Sequence, residues 1–158
     1  MNVNSLLLWG FAATLVLTIV MVGSKYLGLT RIDLPFMLGT AFTGSRDKAV
    51  RIGVLAHVII GWFFAFIYGA AFETTGLKTW WFGMAIGFVH AAFVLSVGLQ
   101  ILTSFHPRMA RPFQGPTPTR QLEPPGFLAL NYGGGTPFAT LVAHLIYGAV
   151  LGIFYDLR

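Results

Sequence analysis

Three of this chain's four histidines, His57, His90 and His144, lie in stretches with almost no other ionisable residue. Imidazole changes charge nearest neutral pH, and its neutral form ligates metal ions and haem iron. An ionisable group inside a membrane segment is costly to place and is read first as functional. Spacing adds a second observation. "LAHVIIGWFFAFIY" over 55–68 and "VAHLIYGAVLGIFY" over 142–155 align without a gap and agree at Ala, His, Ile, Gly and Tyr. At about 100° per residue, His57, Gly61, Phe64 and Tyr68 share one helical stripe. His144, Gly148, Leu151 and Tyr155 share the corresponding one, and three of the four positions are identical.

Three chemistries suit these residues. The first is packing. Gly61 and Gly148 let helices approach closely, and "GMAIG" over 83–87 and "GAVLG" over 148–152 are GxxxG patterns. Gly61, Gly83, Gly87, Gly148 and Gly152 are then contact residues. The histidines bond across helices to a carbonyl or hydroxyl, contributing about 1 kcal/mol each. The second is b-type haem held between His57 and His144, with Gly61 and Gly148 leaving room for the ring. Arg46, Arg51 or Arg108 would pair with the propionates. The third is a proton or small-solute pathway through His57, His90 and His144. His90 shares a face with Gly83 and Gly87 and points inward with them. A metal ion is not expected, because no mid-membrane carboxylate or thiolate joins the imidazoles. No catalytic residue is assigned, since no serine, histidine and aspartate fall in a hydrolase arrangement.

The elements that position these residues follow from composition. Of 158 residues, 56% are hydrophobic and 9% charged, where a soluble domain carries about 25% charged. Apolar runs over Leu6–Val22, Ile52–Phe72, Trp80–Leu102 and Phe138–Tyr155 each suit a membrane-crossing helix. The first lacks a basic leader and a cleavage pattern, so it reads as a retained helix. There is no cysteine, which excludes disulfides and thiolate sites.

Lys25, Arg31, Arg46, Lys48 and Arg51 follow the first run, and Arg108, Arg111 and Arg120 follow the third. Lys78 stands between the second and third. The positive-inside rule puts both termini outside the cytoplasm and the basic loops against anionic lipid head groups. Trp9, Tyr68, Trp80, Trp81 and Tyr155 form an expected aromatic belt at the outer interface. The basic loops show no folded face of interleaved cations and aromatics, so nucleic acid is not an expected partner.

Upstream of the second and fourth runs stand "LPFMLGTAFTGSRDKAV" and "PPGFLALNYGGGTPFAT". Each has proline, a short apolar stretch and a glycine turn. Short interfacial or re-entrant helices are expected at Leu34–Phe42 and Gly126–Tyr132. Ser45 is the expected cap of the second run, and Thr136 with Pro137 starts the fourth. The glycines of "NYGGGTP" precede a helix start, where backbone N–H groups can hold a lipid phosphate or simply form a turn. Gln100 is expected to bond across helices. The Pro-rich loop 106–125 reads as an extended cytoplasmic segment, either a linker or a partner-docking strap, with His106 solvated.

The expected fold is an all-α, integral membrane four-helix bundle. It forms one domain over 1–158, made of two parallel helix–interfacial segment–helix repeats at about 1–74 and 78–158. "RIDLPFMLGTAFTG", "LAHVIIGWFFAFIYG" and "PGFLALNYGGGTPFATLVAHLIYGAVLGIFY" resemble small bacterial inner-membrane proteins of the YagU-like kind, whose domain has no assigned function. The resemblance covers most of the chain. It implies a four-helix inner-membrane protein and carries no catalytic residues. The leading expectation is a non-enzymatic packing or accessory component of a membrane complex or homo-oligomer, with no cofactor. Haem binding and a proton pathway are the alternatives.

Overall fold

The computed structural model describes residues 1–111 and 115–156. Part of the Pro-rich loop, residues 112–114, lies outside them. Among the described residues six α-helices form: α1 Val3–Tyr26, α2 Leu34–Thr40, α3 Arg46–Thr75, α4 Trp80–Phe93, α5 Leu99–Phe105 and α6 Thr136–Phe154. A π-turn, Val94–Gly98, joins α4 to α5 without a break in direction, so the two act as one span. Among the described residues four spans are long and apolar enough to cross a membrane, and the protein is a multi-pass four-helix bundle. No strand forms among the described residues, only isolated bridges such as Met109 with Leu122.

Local chemistry sets the helix ends. The Asn2 side chain accepts from the Ser5 N–H and starts α1. Asp33 accepts from the Phe36 N–H, with Pro35 in the first turn of α2. Thr79 caps α4. Gly76, at φ 72°, closes α3 in the left-handed conformation that glycine adopts without strain. Ser45 occupies the cap position of α3 but makes no side-chain cap bond. Several hydroxyls inside the spans are satisfied on their own helices: Thr14 donates to Gly10, Thr18 to Thr14, Ser96 to Ala92 and Thr103 to Leu99.

α6 packs between α1 and α4, and α1 packs between α6 and α3. Although consecutive in the chain, α3 and α4 keep their backbones apart. Side chains bridge the gap. Phe64 stacks on His90 with centroids 3.7 Å apart, and Phe72 meets Phe82 at 6.1 Å. Elsewhere small residues bring helices together. At α4–α6, a Cβ on Gly83 would stand 2.0 Å from the Gly148 carbonyl oxygen. α2 lies against α3 through Gly39 and Gly53, where added Cβ atoms would meet the Ala49 and Pro35 carbonyls at 1.7 and 1.6 Å.

Several sequence expectations change in the folded chain. Tyr68 and Tyr155 turn inward and are buried, and Trp9 stacks on Phe154 at 4.4 Å, so none of the three forms an outer belt. Trp80 and Trp81 do face outward. Tyr155 instead donates to Glu73, 2.7 Å away, and accepts from the Asn2 backbone N–H. α2 is the short helix expected, but its counterpart at Phe127–Tyr132 is a tight 3-10 turn with Leu128 and Ala129 at positive φ. Asn131 pins that turn by donating to the Pro124 carbonyl, and Gln100 donates to Gly126 there rather than across helices. In the "NYGGGTP" turn Gly133 and Gly135 pack on the 29–30 backbone, and Thr30 and Thr136 pair hydroxyls at 2.7 Å.

The described parts of the Pro-rich loop, 106–111 and 115–125, fold back as a strap. Ala110 donates to Leu122 at 2.8 Å and Leu122 to Arg108 at 3.0 Å, while Met109 is buried beneath them. His106 is a buried clasp rather than a solvated residue. Its Nε2–H donates to the Met37 carbonyl at 2.9 Å, and its Nδ1 accepts the Arg108 backbone N–H at 3.2 Å. That pattern requires a neutral ring. Burial lowers the His106 pKa from its ordinary 6.5; the Met37 bond opposes this, and the Arg108 charge adds to it. Below the ordinary value the unfolded chain takes up a proton that the clasp refuses. The clasp's stability is therefore full above about pH 6.5 and lost as pH falls below it. Thermal melting of the wild type should drop between about pH 7.5 and pH 5. His106→Gln, which keeps a donor for Met37, should lose that part of the slope.

Candidate functional site

The site is built where the backbones of α3 and α4 stand apart. A cavity of about 270 Å³ opens there, lined from four spans and α2. α1 contributes Thr14 and Leu17, α2 Leu34 and Leu38, α3 His57 and Gly61, α4 His90, and α6 His144 and Tyr147. The π-turn borders it through Val94 and Gly98, a place where such turns often mark function. Its floor is closed, since Thr14, Leu17, His57, His144 and Tyr147 are all buried. Its rim is open, since Ile60, Phe93 and Ile101 face outward, where the spans meet lipid.

All three intramembrane histidines of the sequence analysis meet in this one cavity. His90 and His144 lie edge to face with centroids 4.6 Å apart. His57 reaches across to α1, its Nδ1 3.1 Å from the Thr18 hydroxyl. His90 reaches across to α3, its Nδ1 3.4 Å from the Tyr68 hydroxyl. His144 bonds within its own helix, Nδ1 to the Thr140 carbonyl at 2.8 Å. The Tyr147 hydroxyl donates to the Gly61 carbonyl at 2.6 Å and ties α6 to α3.

The glycines of the shared stripes serve these contacts. A Cβ on Gly61 would stand 1.9 Å from the Thr14 hydroxyl. One on Gly148 would stand 2.0 Å from the Gly83 carbonyl and 3.2 Å from the Tyr68 ring. Gly87 faces the His144 carbonyl, and Gly152 faces that of Thr79. The space beside Gly61 and Gly148 is thus filled by Thr14, Gly83 and Tyr68. That is the room the sequence reading allotted to a tetrapyrrole between His57 and His144. Among the described residues, no group of three His, Asp or Glu comes together to hold a metal ion.

Sequence reasoning missed Thr14, Thr18, Thr140 and Tyr147. A signal existed for three of them. Thr14 and Thr18 are four apart on α1, and Thr140 is four before His144, so each pair shares a helix face. Tyr147 had none, because repeat alignment pairs it with Ile60. Comparisons with protein-family models, curated proteins and solved structures found no match.

Proposed function

We propose that this chain is a non-enzymatic accessory protein of the bacterial inner membrane that holds a small lipid-soluble guest between α3 and the α4–α5 span. One observation carries the reading: the cavity has a polar, buried floor and a mouth rimmed by outward-facing Ile60, Phe93 and Ile101. A guest dissolved in the bilayer reaches such a mouth sideways, without crossing a polar surface.

Charge placement supports the orientation. Lys25, Arg31, Arg46, Lys48, Arg51, Arg108, Arg111 and Arg120 gather at one end of the bundle. Among the described residues, Lys78 is the one Lys or Arg at the other end. Both termini are then extracytoplasmic, and anionic head groups meet the basic end. The YagU-like resemblance and the two-unit organisation belong to the same reading. Gly61 of α3 packs on α1, and Gly148 of α6 packs on α4, the equivalent partner in the second unit. A parallel twofold would make the α3–α4 seam equivalent to α1–α6. The latter is closed and the former held apart, so the cavity lies where the twofold fails. A proton route has less support. Among the described residues no Asp or Glu lines the cavity to pass a proton on: Asp33 is paired with Lys25 at 2.6 Å, and Glu73 and Asp156 both bind Lys78 at the far end.

The test is to fill the cavity. Val94→Trp places an indole in it. In lipid nanodiscs, butylbenzene or para-butylphenol should raise the melting temperature of the wild type and leave that of Val94→Trp unchanged. Identical responses from the two proteins would remove the reading.

A further inference from the structure

We infer that the guest is a hydroxyl-bearing aromatic molecule, a phenol or hydroquinone, that donates its hydroxyl proton to the cavity floor. This rests on the guest reading above and goes further by fixing the guest's hydrogen-bonding sense.

The inference follows from counting protons. The single hydroxyl proton of Thr18 goes to the Thr14 carbonyl, 2.7 Å away. In the contact between Thr18 and His57, the imidazole must therefore be the donor, through Nδ1–H. His144 meets a carbonyl at Nδ1, and a carbonyl only accepts, so this ring also carries its proton on Nδ1. A neutral imidazole has one N–H. These rings sit among apolar residues with no carboxylate in the cavity lining, where an unpaired charge is costly. Each Nε2 is then a bare lone pair. His57 is 8% and His144 6% exposed, and neither Nε2 has a hydrogen-bond partner among the described residues.

The other floor groups are committed in the same sense. Thr14 gives its proton to Gly10, and Tyr147 gives its proton to Gly61. Thr14, His57, His144 and Tyr147 therefore offer acceptors and no free donor. Four groups presenting acceptors in a water-poor site favour a guest that brings a donor, because leaving them unpaired costs their desolvation. His90 contacts Tyr68 at 3.4 Å, and no third group fixes which of the two donates.

The walls select the rest of the molecule. Phe64, stacked on His90, lies with Phe93 and Tyr147 around the cavity and offers faces and edges to a flat ring. An apolar cavity of about 150 Å³ takes up benzene. The 270 Å³ here suits one substituted ring, its apolar tail leaving past Ile60 and Ile101 into lipid.

Three probes of matched shape decide the matter in nanodisc-embedded protein: para-butylphenol, its methyl ether para-butylanisole, and butylbenzene. The phenol should bind about tenfold more tightly than either, the worth of a good hydrogen bond. His144→Phe, which keeps the volume and removes one of the two imidazole lone pairs, should narrow the gap between phenol and ether. Equal affinity for phenol and ether in the wild type would overturn the donor assignment and leave the guest reading standing. Binding of none of the three would overturn both. The wild-type probe series decides the question even if His144→Phe fails to fold.

Discussion

Gly148→Leu is expected to abolish the folded bundle. A Cβ at residue 148 would lie 2.0 Å from the Gly83 carbonyl oxygen, and the reciprocal distance from a Cβ on Gly83 is also 2.0 Å. Backbone on both sides leaves no flexible side chain to yield. α4 and α6 would have to separate, and the neighbouring contacts of Gly87 with His144 and Gly152 with Thr79 would open with them. Overpacking costs about 1–3 kcal/mol where side chains can shift. Here the cost should reach the exceptional range of about 4–5 kcal/mol or more. In detergent the variant should elute as aggregate and show no cooperative melt. Gly23→Leu is the control, since nothing stands within 4 Å of a Cβ there, and it should behave as wild type. A Gly148→Leu protein that melts with the wild type would contradict the packing described.

Gly53→Leu should have the second largest effect, and a different one. Its Cβ would overlap the Pro35 carbonyl at 1.6 Å, so α2 must leave its seat on α3. The Met37 carbonyl that holds His106 and the Thr40 carbonyl that holds Arg108 leave with it. The strap then loses its anchor, while the spans still pack through α1, α4 and α6. Backbone amides of Ala110 and Leu122, bonded within the strap, should exchange at least about tenfold faster, as expected when local opening becomes cheaper by about 1.4 kcal/mol. The amides of α6 should keep their protection. Unchanged exchange at Ala110 and Leu122 would show that the strap does not depend on α2.

Both substitutions illustrate how far one chain of letters carries. The spans, their number and their inward faces were legible because a bilayer demands apolar runs with internally bonded backbone. His57 and His144, and the glycines four residues after each, stood out for the same reason. Polar and small residues are scarce in such runs, and a repeated frame makes each occurrence conspicuous. The interfacial helix at Leu34 was legible from its capping aspartate and proline, which act within a few residues.

What the linear pattern did not contain was the order in which helices touch. α3 and α4 are neighbours in the chain, yet their backbones stand apart. Gly83 and Gly148 instead draw α4 onto α6, and Thr14 in the Gly61 notch draws α3 onto α1. The two closures leave the α3–α4 seam apart and create the cavity. Such a choice depends on which surfaces fit at van der Waals distance, a property of pairs of faces and not of either face alone. The inward turn of Tyr68 and Tyr155, the burial of His106 and the proton bookkeeping of the cavity floor belong to the same class. Composition settled that imidazoles would lie within the membrane, because lipid sorts residues one at a time. Only the tertiary structure decided which nitrogen each one leaves free, because that depends on a partner from another turn or another helix.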